Sequence, residues 1–234
     1  MEEALELQKA KIIKLLTEKS VMKQDVFKNT ISTFELLKEC INEISNSLIS
    51  EVKAIDKRIN IDVTGTSTQS TQLKVAGDML EFFMHSNVFE FEKTHSMFKT
   101  SYVKQNEYNS YCGIINVYNF LADSFKYNRS EDLGYLVCRI FINRENHFFI
   151  EAKGILGIKY SMFSFEPITK QQLMEVVNEL IIFAISFDLF TPPYDNIKEV
   201  TVGEIQEKIS SINLRTGKRL GYSSSAGEDT SMYI

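Results

Sequence analysis

The sequence predicts an α+β protein: long N-terminal helices, then a mostly antiparallel sheet of six or seven strands, backed by a long C-terminal helix over 169–189. Three observations predict it. The first 57 residues contain neither Pro nor Gly and carry apolar side chains at helical spacing. Between Ile59 and Phe165, short runs of β-branched and aromatic residues follow one another, separated by turn-forming residues. Then Thr169-Lys170-Gln171-Gln172, a Thr-x-x-Gln capping box, opens a segment with Leu173, Val176, Val177, Leu180, Ile181, Ala184 and Phe187 on helical spacing, ahead of Pro192-Pro193.

Two helices account for the first 57 residues. One carries Leu5, Ile12, Ile13, Leu15 and Leu16, and Ser20 is positioned to break or cap the chain before the next. In the second, Phe27, Phe34, Ile41, Leu48 and Ile55 recur every seven residues, joined by Leu37 and Ile44. Such a stripe either lies on the chain's own domain or pairs with a second copy as a coiled coil, although Thr30 and Glu51 interrupt its core positions.

Arg58–Val63 alternates as a half-buried strand, and the uncharged Thr64–Gln72 run reads as a loop. A hairpin is expected over 79–92, turning at His85-Ser86-Asn87, and a second over 136–153, turning at Asn143-Arg144-Glu145-Asn146. Between them Tyr111–Tyr118 forms a strand leading into a short helix. Gly157–Phe165 is expected as a further strand, because Ile158, Tyr160, Met162 and Ser164 alternate with their neighbours before Pro167. A short helix is expected from Thr201 to Ile212, and the Gly-, Ser- and Arg-containing remainder reads as a tail. The organisation is therefore a helical arm over 1–57, an α+β domain over 58–212 and a flexible tail over 213–234.

Composition narrows the classes. Among 234 residues, 26 basic against 31 acidic side chains give a net charge of −5, which disfavours a broad phosphate-binding surface. A local basic cluster stands in the tail, at Arg215, Lys218 and Arg219 with Tyr222. No apolar run reaches the ~18 residues of a membrane span, and the acidic start is unlike a secretory leader, so a cytoplasmic protein is expected. Cys40, Cys112 and Cys138 lack metal or disulfide spacing, and His85, His95 and His147 share no ligand spacing. Walker-type, dinucleotide-binding and Gly-x-Ser-x-Gly patterns are absent, so no cofactor is implied by them.

One constellation bears chemistry. Phe148-Phe149-Ile150-Glu151-Ala152-Lys153 ends an apolar strand with Glu-x-Lys, and Asp132 stands upstream. It resembles the active site of restriction-endonuclease-like nucleases. That resemblance implies Mg²⁺ held by Asp132 and Glu151, with Lys153 positioning the attacking water. The alternation also permits Glu151 and Lys153 to be a solvated charge pair opposite a core face. A third reading is a small-ligand module with an aromatic pocket between the sheet and the 169–189 helix. The leading expectation is a non-catalytic binding or scaffold protein acting as a homo-oligomer, with Phe27, Phe34, Ile41 and Leu48 carrying self-association.

Overall fold

The computed structural model describes residues 2–130 and 132–187, together with Glu199, residues 201–203 and Gln206. The expected tail, and most of the expected 201–212 helix, lie outside the described residues.

The N-terminal Gly- and Pro-free segment forms one unbroken helical rod. Helix α1 (Glu2–Leu15) runs through a π-helical turn at Leu16–Ser20 into α2 (Val21–Ile55). The break expected at Ser20 is therefore replaced by a wider turn. Leu15, Ser20 and Val21 all keep right-handed helical angles, and Ser20 makes no side-chain cap. The Thr17 hydroxyl donates to the Ile13 carbonyl at 2.9 Å, placing a side chain within the helical bond ladder at the turn.

The sheet has seven antiparallel strands. They are β1 (Ile61–Thr64), β2 (Ser70–Val75), β3 (Asp78–Met84), β4 (Phe89–Glu90), β5 (Tyr111–Leu121), β6 (Tyr135–Asn143) and β7 (Phe148–Ala152), in the order β1-β2-β3-β5-β6-β7 with β4 beside β5. The hairpin expected over 136–153 is present, with Ile140 opposite Ile150 and Asn146 at φ 59° in its turn. The first expected hairpin is corrected. Met84 pairs with Ile115 and Phe89 with Cys112, so the two halves of 79–92 lie end to end along β5 instead of against each other. His85 N–H still bonds Ile114 C=O at 2.9 Å, so His85-Ser86-Asn87 is a bulge along that edge.

The 64–72 run is shorter as a loop than expected. Its last three residues open β2, where Thr71, Leu73 and Val75 are buried and Ser70, Gln72 and Lys74 are not. The strand expected over 157–165 is also corrected, to helix α5 (Ile155–Lys159) followed by turns. The chain reverses directly after β7, so tightly that a Cβ on Gly157 would lie 1.9 Å from the Ala152 carbonyl oxygen. The segment still protects the sheet edge: Tyr160 C=O accepts from Ile150 N–H at 2.7 Å, and Ser164 N–H donates to Phe148 C=O at 2.8 Å. Two such bonds cover an edge without a regular ladder.

Helix α6 (Lys170–Ser186) starts at the expected capping box: Thr169 N–H donates to Gln172 Oε1 at 3.0 Å and Gln172 N–H to Thr169 Oγ1 at 3.3 Å. It and α2 lie together on one face of the sheet. Phe34, Leu37 and Ile41 of α2 meet Leu173, Val176 and Leu180 of α6 in one core with Leu80, Phe82, Ile140 and Phe148 of the sheet. Close approach of α2 depends on Gly113 in β5. A Cβ there would lie 2.0 Å from Thr30 Oγ1. Buried Thr30 satisfies its hydroxyl within α2, donating to Val26 C=O at 2.7 Å.

The opposite face carries a second, smaller core. The excursion between β4 and β5, including helix α3 (Ser101–Gln105), folds over Cys112, Phe141 and Phe149 with Met97 and Val103. Its rings interlock: Phe141 stacks on Phe149 at 4.5 Å, and Phe163 meets Phe149 edge-on at 5.1 Å.

Candidate functional site

The residues expected to carry self-association lie along the inner face of α2. Phe34 and Ile41 have no exposed surface, and Phe27 and Leu48 are half-buried against the same core. A cluster of exposed aliphatic side chains stands nearer the N-terminus of the same rod. Leu5, Leu7, Ile12, Ile13, Leu15 and Leu16 are each between 48 % and 74 % exposed, and Met22 is the first buried residue of the rod. From Glu3 to Glu18 every residue is exposed, so this arm extends beyond the sheet and its covering helices. Helix formation this far from a core draws on continuity with α2, which packing holds in place; an isolated helix of that length is marginal in water. The aliphatic pattern was legible in the sequence. Its exposure was not, because periodicity cannot distinguish a stripe lying on the chain's own sheet from one reaching past it.

The three residues of the nuclease-like constellation do not share a cavity. Asp132 lines an open hollow of about 420 Å³ beside α4 (Ala122–Lys126), where Ser124 Oγ donates to it at 2.6 Å and Arg129 Nε lies 2.9 Å away. Glu151 lines a different cleft of about 490 Å³, on the sheet face opposite α2. Cross-strand register sets it opposite Arg139, whose Nη2 lies 2.5 Å from Glu151 Oε2. Lys153 follows the end of β7 and is exposed. Among the described residues, no group of three or more His, Cys, Asp or Glu side chains is placed to hold a metal ion.

The Glu151 cleft is walled by aromatic side chains. Phe91 sits 5.1 Å from Phe141 and 4.8 Å from His95, and the Arg139 guanidinium lies 5.7 Å over the Phe141 ring. His95 is held as a helix cap, its Nδ1 accepting from Met97 N–H at 3.3 Å. This arrangement offers an apolar wall and a neutralised ion pair, which suits contact with a molecule more than proton transfer. The sheet face under α6 is closed by comparison: Leu173, Val176, Val177 and Ala184 fill it with no exposed surface.

The remaining reactive groups are occupied by structure. Cys112 and Cys138 are buried, and loss of hydration pushes both thiols well above their ordinary pKa. His147 stacks on Tyr102 at 5.0 Å. Tyr102 itself donates to Glu145 at 2.6 Å and accepts from Asn143 Nδ2 at 2.8 Å, bracing the β6–β7 turn. Sequence reasoning did not find this brace, since its members lie some forty residues apart.

On the cleft's face, Glu81 has one carboxylate oxygen, Oε2, buried without a hydrogen-bond partner. Partial burial raises its pKa above the ordinary 4.5, against a weaker opposing bond from Gln72. The folded state therefore holds this proton more tightly than the unfolded chain, and stability falls as pH rises from the ordinary value through the raised one. Glu81→Gln is expected to raise the melting temperature at pH 7, with the gain fading below about pH 4. Thermal melts of both proteins across that range check it; an unchanged or lower melting temperature at pH 7 contradicts it.

Compared with known proteins, the chain matches no family model, no curated protein and no solved structure. Among the described residues no helix is long and apolar enough to cross a membrane.

Proposed function

We propose that this chain is a non-catalytic binding or scaffold protein that acts as a homo-oligomer, assembling through its N-terminal arm. The observation that carries this reading is the stripe of aliphatic side chains at Leu5, Ile12, Ile13, Leu15 and Leu16, which stand exposed among the described residues on a helix whose residues from Glu3 to Glu18 are all exposed. Burying a Leu or Ile side chain fully is worth about 1.5–3 kcal/mol. Contiguous apolar surface of this kind marks interaction sites on folded proteins. The interior positions first expected to carry self-association already serve the chain's own core.

The test is the absolute mass of the full chain in solution, by light scattering on a size-exclusion column, for wild type and for Leu5→Asp/Ile12→Asp. The expected wild-type mass is a multiple of 27.0 kDa and the expected variant mass is 27.0 kDa, with the thermal melt of the body unchanged. A wild type of 27.0 kDa at every concentration from ~1 to ~100 µM overturns the reading.

A further inference from the structure

We infer that the arm's occupant is the arm of a second copy, lying antiparallel to it about a two-fold axis near Gln8 and Lys9. This inference rests on the assembly reading above and names its partner and geometry.

The apolar face comes first. At about 100° per residue, Leu5, Ile12 and Leu16 fall within ~40° of one another on the wheel, with Leu15 and Ile13 on either flank. All five are about half exposed or more. In α2 the buried stripe continues through Met22, Val26 and Thr30. The π turn between the two, closed by longer-range bonds, holds more residues per turn than an α-helix and rotates the arm's stripe relative to the buried face of α2. The arm thereby presents its own face, separate from the one α2 applies to the sheet.

Charge then selects the orientation. In EEALELQKAKIIKL the acidic residues occupy the first half and Lys9, Lys11 and Lys14 the second. A parallel pair would lay three lysines beside three lysines. An antiparallel pair lays each acidic half along the other copy's basic half, and the same superposition sets Leu5 beside the second copy's Ile12. The helix dipole accounts for Glu2 and Glu3 in the first turn but not for the lysines of the second half. Its influence is confined to the terminal turns. Lys9–Lys14 are far from the end of the rod, which continues unbroken to Ile55.

A two-fold axis makes the contact isologous and self-limiting, so one arm satisfies one arm. Two helices of this length form an interface at the small end of the stable range, and the expected dissociation constant is on the order of micromolar.

Leu5→Cys and Ile12→Cys are made as separate full-length proteins bearing different C-terminal tags. The three native thiols are buried, so mild oxidation reports on the introduced ones. The expected result is a covalent heterodimer when the two proteins are mixed, forming about tenfold faster than any homodimer of Leu5→Cys alone. Ready cross-linking of Leu5→Cys to itself overturns the inference in favour of a parallel pair. An oligomeric mass with no cross-link in either arrangement places assembly elsewhere: the inference falls and the assembly reading stands. A mass of 27.0 kDa throughout removes both.

Discussion

Phe34→Ala lowers the unfolding free energy by about 3–5 kcal/mol, the range expected when a fully buried phenyl ring is replaced by a methyl group. Phe34 has no exposed surface and stands where α2 meets the sheet, in one core with Leu37, Ile41, Phe82 and Phe148. Truncation removes its transfer free energy and leaves a cavity that both the helix and the strands are too constrained to close. Denaturant unfolding measures the effect directly, as a lower midpoint with an unchanged slope. Because Ile41 shares this core, Phe34→Asp/Ile41→Asp is expected to give an unfolded chain instead of a folded monomer. A Phe34→Ala midpoint equal to wild type would show that α2 is not seated as described. The same experiment on Leu5→Asp/Ile12→Asp moves mass and leaves stability alone, which separates the two ends of one continuous helix.

Gly113→Ala costs about 1–3 kcal/mol by overpacking, a large effect for one added carbon. Its Cβ would stand 2.0 Å from Thr30 Oγ1 and 2.8 Å from Thr30 Cβ and Cγ2, so helix and strand must separate or shift. Thr30→Ala removes Oγ1 and Cγ2 but not Cβ, so it relieves part of the clash. Its own cost is small, because the hydroxyl bonds only to the carbonyl of Val26 within the same helix. The double variant should therefore be more stable than the sum of the two losses predicts, with a coupling of about 0.5–3 kcal/mol. Denaturation of the four proteins of this cycle gives the coupling; strict additivity would mean that the residues do not meet.

These two positions show what was readable in advance. Phe34 belonged to a seven-residue repeat visible in the sequence, and the repeat was right about amphipathicity. Thr30 broke that repeat and counted against a coiled coil, for reasons that only Gly113 makes plain. The pair lies 83 positions apart, and nothing local to either residue announces the other. The capping box at Thr169 and the 136–153 hairpin were legible because their determinants are contiguous. The 79–92 segment was misread for the converse reason. Two β-forming runs around a His-Ser-Asn turn satisfy every local criterion for a hairpin, yet β5 is long enough to pair with both.

At the candidate sites the same division holds. Glu151 and its strand were found by alternation, and its bond to Arg139 follows from hairpin register. The separation of Asp132 from Glu151 does not follow from sequence, since it depends on where α4 and the following turn lie beside the sheet.

By itself, the sequence determined the elements whose causes are local: helices from periodicity and caps, and the 136–153 hairpin from its alternation and Asn-rich turn, whereas the alternation over 157–165 folds as helix α5 and turns. Tertiary structure alone decided which apolar stripe is covered. The hydrophobic effect is non-directional and rewards burial against any surface within reach. Two stripes on one rod thus met different fates: α2 lies over the sheet, and α1 extends past the sheet's edge with its leucines and isoleucines in water.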